Sequence, residues 1–115
     1  MVELASLRDF ARMLFCLYRS EGSVVGVAAL HQEGTDSGMV RWVYVLPERQ
    51  RQGIATALMA FLEGEARKMG LRKLRLRTVE RAHWALSFYR KMGYHQAGRI
   101  EVAWGYDVIM EKRLD

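Results

Sequence analysis

Met39-Val40-Arg41-Trp42-Val43-Tyr44-Val45 runs through Leu46-Pro47-Glu48-Arg49-Gln50-Arg51-Gln52-Gly53 into residues 54–69, and the changes of period along this stretch decide the fold. β-branched and aromatic residues fill the first segment, the composition of a strand. Pro47 has no N–H to give to a ladder and ends it. Past the polar loop, Ile54, Leu58, Phe61, Leu62 and Met69 recur as one apolar stripe at helical spacing, with Glu63, Arg67 and Lys68 read as lying elsewhere on the helix. Gly70 supplies the stop. Residues 71–78 then alternate at period two, with Leu74 and Leu76 on one face and Lys73, Arg75 and Arg77 on the other. A strand, a helix and a strand in this order predict a parallel pair, because the crossover brings the chain back to the end of the sheet where it started.

Working outward, residues 14–18 and 24–30 read as two strands joined by the turn Ser20-Glu21-Gly22-Ser23, and Glu33-Gly34-Thr35-Asp36-Ser37-Gly38 turns the chain into the strand from Met39. Leu4, Leu7, Phe10 and Leu14 fall at helical spacing opposite Glu3, Arg8, Asp9 and Arg12, which predicts a short N-terminal amphipathic helix. Downstream, a second helix covers residues 82–92 and closes at Gly93. Two further strands over 94–101 and 103–112 join near Trp104 and Gly105. The predicted fold is mixed α/β (α+β): a central, mostly antiparallel sheet of about six strands with one parallel pair, flanked by helices. At roughly 100 to 200 residues per domain, residues 1–115 make one domain.

Eighteen Lys and Arg against thirteen Asp and Glu give a formal net charge of +5, carried mostly by arginine. Arginine forks match phosphate and carboxylate, so nucleotides, coenzymes, nucleic acid and acidic metabolites are the candidate partners. Cys16 is the only cysteine, which excludes an intrachain disulfide and Cys-based zinc clusters. With His31, His83 and His95 scattered, no metal is expected, and Cys16 reads as a core residue. Glu3 and Asp9 interrupt any secretory h-region, and every apolar run is far shorter than the ~18–20 residues of a membrane span. A soluble, cytoplasmic protein is expected. Nucleic acid is disfavoured because no known binding motif is present and the aromatics, Trp42, Trp84 and Trp104 among them, sit in strand or helix patterns as core or interface residues.

The loop Arg49-Gln50-Arg51-Gln52-Gly53-Ile54-Ala55 lies where a strand's C-terminal end meets a helix N-terminus. Unpaired N–H groups and the macrodipole favour an anion there. Gly53 and Ala55 allow close backbone approach, and Arg49 and Arg51 add charge. An ordinary helix start with solvated arginines has the same local pattern, so the loop alone does not decide.

Val45-Leu46-Pro47-Glu48-Arg49-Gln50-Arg51-Gln52-Gly53-Ile54-Ala55 resembles the acetyl-CoA-binding signature of the GNAT superfamily of acyl-CoA N-acyltransferases, with Gln50, Gly53 and Ala55 at its key positions. Ala85-Leu86-Ser87-Phe88-Tyr89-Arg90-Lys91-Met92-Gly93-Tyr94 resembles the same family's second motif, and the elements between the two motifs follow the family's order. The resemblance spans residues 24–100 and implies an acetyl-CoA-dependent N-acetyltransferase. It implies that N–H groups of Gln50, Arg51, Gln52, Gly53, Ile54 and Ala55 hold the coenzyme A diphosphate, with the Arg51 side chain and Thr56 assisting. It further implies that backbone groups of Val43 and Val45 pair with the pantetheine arm and stabilise the oxyanion. Tyr89 is implied as the general acid for the leaving thiolate, and Arg90 or Lys91 as the contact to the 3′-phosphate.

Three departures accompany the resemblance. Ala82 stands where the family often has a pantetheine-binding asparagine, leaving that contact missing or made by His83. The strand before the loop offers Arg41 and no acid, so Glu80, Glu101 and Asp107 are the candidate bases. Only about a dozen residues precede the first strand read here, against the family's additional strand and two helices. The exposed sheet face that results predicts a homodimer in which a second copy completes the acceptor wall. The acceptor amine, a small molecule or a protein terminus, is left open. A non-catalytic acyl-CoA-binding or regulatory module is the alternative function.

Overall fold

Short turns build most of the sheet in the computed structural model, which describes residues 1–8 and 12–115. Strand β2 (Met13–Ser20) returns as β3 (Ser23–Gln32) through Glu21 and Gly22, whose φ values of 53° and 81° give the doubly left-handed turn that suits the twist of a hairpin. β3 pairs antiparallel with β4 (Ser37–Val45), and helix α1 (Ile54–Lys68) carries the chain over to β5 (Lys73–Val79). Helix α2 (His83–Lys91) and the hairpin of β6 (His95–Val102) and β7 (Gly105–Arg113) follow. With β1 (Val2–Arg8) at one edge, the strand order is β1-β2-β3-β4-β5-β7-β6, and β4–β5 is the parallel pair.

The mixed, mostly antiparallel sheet agrees with the sequence reading, with seven strands instead of about six. The additional one replaces the predicted N-terminal helix. Leu4 and Leu7 lie in β1, which pairs antiparallel with β2 from Val2↔Ser20 to Arg8↔Leu14, and Leu14 is a buried residue of β2. An isolated helix of this length is marginal, whereas the ladder with β2 pairs the backbone at once. Phe10 and Asp9, also assigned to that helix, lie outside the described residues. β1 ends at Arg8 and β2 begins at Met13, so β1 stands within the dozen residues that were read as preceding the first strand.

One face of the sheet holds the core. Leu14, Cys16, Ala28, Leu30, Val40, Leu74, Leu76, Val108 and Met110 pack there against Leu58, Met59, Leu62 and Ala66 of α1 and Leu86 of α2. Burial pushes the Cys16 thiol up to about 12, with the Glu65 carboxylate adding to the effect, so this core cysteine stays protonated. The opposite face is apolar toward β1 and charged toward β7. Phe15 stacks on exposed Trp42 at 6.5 Å, whereas Arg75 reaches Glu111 at 3.4 Å and Arg77 reaches Asp107 at 3.0 Å. The basic side of β5 is therefore largely neutralised by its antiparallel neighbour.

The feature that makes a site is a parting of strands. β4 and β5 are in register only at Ser37↔Lys73, Gly38↔Leu74 and Met39↔Arg75. Just beyond, the β3–β4 register shifts between Ala29↔Trp42 and Leu30↔Val40, leaving Arg41 as an extra residue. Such a bulge bends and twists its strand. The rest of β4 leaves β5, and its outer edge has no strand partner among the described residues.

Candidate active site

The parted strands and the two helices enclose a cavity of about 880 Å³. Val43 and Val45 form its floor. Leu46 N–H donates to the Val25 carbonyl at 2.9 Å, so Val45, one residue earlier, turns its backbone groups away from β3 and into the opening. By strand alternation Val43 points the same way. The Val45 carbonyl accepts a hydrogen bond from Gln50 Nε2 at 3.1 Å, which ties the loop to the strand end.

One wall is the start of α1. Pro47–Arg49 makes a single 3-10 turn, Arg51 has φ 64°, and Gly53 is the helix N-cap at φ 80°, a left-handed conformation that suits glycine. No side chain among the described residues caps this helix. Ala57 N–H bonds back to the Gly53 carbonyl at 3.0 Å, so Ile54, Ala55 and Thr56 ahead of it carry the donors that an α-helix leaves unpaired. A Cβ built on Gly53 meets nothing within 4 Å, so the approach to these donors is open. The Gln50 N–H is already engaged with the Pro47 carbonyl at 3.3 Å, which removes it from the run of free donors read from the sequence. Arg49 is held by Ser20 at 3.2 Å and by Gln52 at 3.0 Å, whereas Arg51, also on the cavity wall, makes no ion pair among the described residues.

The facing wall is α2, which presents Trp84, Ala85, Phe88 and Tyr89 to the cavity. Ala82 is its N-cap and makes no side-chain bond. Replacing a capping side chain by alanine generally costs about 1 kcal/mol, so this helix start relies on packing. Tyr89 lies edge-on to Phe88 at 5.1 Å and to Tyr94 at 5.8 Å, and its burial raises the phenol above its ordinary range.

Of the residues singled out in the sequence, Val43, Val45, Arg49, Gln50, Arg51, Gly53, Ile54, Ala55, Thr56 and Tyr89 line the cavity. Gln52, Arg90 and Lys91 do not: Gln52 accepts from Arg49, and the two basic residues occupy the exposed last turn of α2. Trp84 and Phe88 line the cavity without having been assigned a site role, and Trp84, read as core or interface, is 77% exposed. None of the three carboxylates considered as bases is on the wall. Glu80 is gripped by Arg99 at 2.6 and 2.9 Å, whose hydrogen bonds hold it below the usual carboxylate range. Asp107 is held between Arg77 at 3.0 Å and Trp104 Nε1 at 3.3 Å, and Glu101 is exposed on β6.

Helix-start donors, an unpaired strand edge and a buried phenol around one cleft suit a long ligand with an anionic end and a polar amide arm. Comparison with known proteins agrees with that reading. Residues 2–94 match the family model described as Acetyltransferase (GNAT) family. The amino-acid acetyltransferase of Pseudomonas putida (strain GB-1) is 31% identical over 85 residues, 73% of this chain and 19% of that protein. The chain thus spans about a fifth of the length of that curated relative. Among solved structures, the ribosomal-protein-S18-alanine N-acetyltransferase from Escherichia coli superposes with a TM-score of 0.88 at 20% identity, covering 100% of this chain and 95% of that one. A GNAT family acetyltransferase from Elizabethkingia anophelis with acetyl-CoA bound gives a TM-score of 0.80 at 16% identity, covering 90% and 77%. On the match across most of its length, this chain belongs to the GNAT acetyltransferase family.

Proposed function

We propose that residues 1–115 form one acetyl-CoA-dependent N-acetyltransferase domain that transfers the acetyl group directly to a primary amine. The observation that carries this reading is the cleft itself, where the free helix-start donors, the outward edge of β4 and Tyr89 all border one cavity. In this reading the N–H groups of residues 53–56 hold the diphosphate, with Arg51 supplying charge. Val43 and Val45 offer backbone groups to the pantetheine arm and to the oxygen that becomes negative. The thioester supplies an activated acetyl group; the amine bonds to its carbonyl carbon, the C–S bond breaks, and Tyr89 gives its proton to sulfur. No carboxylate stands on the cavity wall among the described residues, so the amine enters as its free base.

The acceptor class follows the curated relative: a free amino acid is the first amine to test. Thiol release from acetyl-CoA, followed with and without added amino acids and protein N-terminal peptides, is expected to depend on the amine. Binding of acetyl-CoA with no thiol release above the protein-free background, whatever the amine, favours the non-catalytic acyl-CoA-binding module, which the missing carboxylate makes the second reading.

We place the protein in the cytoplasm on its single buried cysteine, in keeping with a chain in which no described helix is long and apolar enough to cross a membrane. We further propose a homodimer in which a second copy covers the apolar sheet face around Leu7, Trp42 and Tyr44, each more than half exposed. Light scattering at micromolar concentration is expected to give twice the chain mass of 13.3 kDa, and a single-chain mass refutes it.

A further inference from the structure

The two walls of the cleft belong to two halves of the molecule, β1–β4 with α1 and β5–β7 with α2. The sheet joins them through only the three β4–β5 register pairs at the closed end. Glu63, read from the sequence as lying off the apolar stripe of α1, is buried at 3% exposure between the halves. Tyr94 OH donates to Glu63 Oε2 at 2.9 Å and Lys112 Nζ donates to Oε1 at 2.8 Å. Among the described residues, these are the side-chain hydrogen bonds that cross from one half to the other. Lys112 Nζ also donates to the Met92 carbonyl at the end of α2, at 2.6 Å. Tyr94 in turn bonds the Tyr89 carbonyl through its N–H at 3.0 Å and meets the Tyr89 ring edge-on.

We propose that Glu63 is a positioning residue that fixes the width of the cleft, tying α1 to the end of α2 so that Tyr89 is held at a set distance from the helix-start donors. The inference rests on the coenzyme reading of the cleft. A buried ion pair is a poor device for stability alone, because apolar residues of similar volume often do as well or better. Hydrogen bonds carry a direction and a length that apolar contacts lack. Burial and the neighbouring carboxylate both push the Tyr94 phenol upward, which keeps its proton in place as the donor to Glu63.

The test uses two probes. Inorganic pyrophosphate touches only the α1 side and is followed through the amide shifts of Gly53 and Ala55; acetyl-CoA spans both walls and is followed by calorimetry. In an apolar triple variant, Glu63→Met with Tyr94→Phe and Lys112→Met, the cleft samples widths unfit for the coenzyme. A fall of the competent fraction to about a tenth weakens acetyl-CoA about tenfold. Pyrophosphate affinity is expected to stay within about twofold, since its site lies within one half. Thermal melts on the same samples confirm folding, and Tyr94→Phe alone, which keeps the ring, carries the test with a smaller loss in the same direction if the triple variant does not fold. Unchanged acetyl-CoA affinity overturns the proposal, as does an equal loss for both probes. A wild-type protein that binds neither probe removes the coenzyme reading, and the proposal with it.

Discussion

Gly53→Glu is expected to abolish acetyl-CoA binding in a protein that still folds. Gly53 sits at φ 80°, and a left-handed backbone costs a non-glycine residue roughly 1–2 kcal/mol. The first atom of the new side chain has open space, because a Cβ there has nothing within 4 Å. A carboxylate at the N-cap is moreover favourable to the helix dipole by about 0.3–1 kcal/mol, which offsets part of the strain. The same placement is what destroys binding. The anion takes the donors of residues 54–56 for itself and repels a diphosphate that needs the same ground. Calorimetry should show an affinity loss of more than about 10²-fold, on the order of 3 kcal/mol. Gly53→Ala, with the strain and without the charge, should lose much less. Wild-type affinity in a folded Gly53→Glu protein would falsify the placement of the diphosphate.

That loop was legible because its cues are local. Pro47 stops a strand, Gly53 starts a helix, and the period changes from two to 3.6 and back within forty residues of chain, so β4, α1 and β5 could be read without knowing what they touch. What escaped was decided by distant partners. Leu4 and Leu7 fit a helix stripe as well as a strand, and the outcome was set by the backbone of β2, which no local pattern reports. Glu63 looked like any polar residue on a helix, because the groups that make its burial tolerable, Tyr94 and Lys112, lie 31 and 49 residues further on. Trp84 was assigned to packing on residue type alone, although two turns of α2 place it on the open wall. Arg90 and Lys91 came from a motif position alone: they stand in the last turn of α2, off the cavity lining, where only the motif drew attention to them.

Tyr89→Phe is expected to leave acetyl-CoA affinity near the wild-type value and to lower kcat by roughly 10²-fold, the usual scale for losing a general acid. The ring is what packs, edge-on against Phe88 and Tyr94, and phenylalanine keeps it. Only the proton is lost. A thiolate can leave unprotonated, so the reaction slows and does not stop. Burial raises the Tyr89 phenol above its ordinary value of 10, so it holds its proton across the neutral and mildly alkaline range. The linkage runs in the same direction: the raised value contributes stability that is fully present below pH 10 and is lost as pH rises through the folded-state value. Wild-type kcat/KM should therefore climb with pH as the acceptor amine loses its proton and then hold level, without a descending limb from Tyr89 below pH 10. The phenylalanine variant should keep the climbing limb, because that limb belongs to the amine, at a uniformly lower height. A variant that turns over at the wild-type rate across the range takes Tyr89 out of the chemistry and leaves sulfur to be protonated by water. A descending limb near neutrality that the substitution removes places the tyrosine's pKa far lower than its burial allows, and with it a charged partner in the cleft.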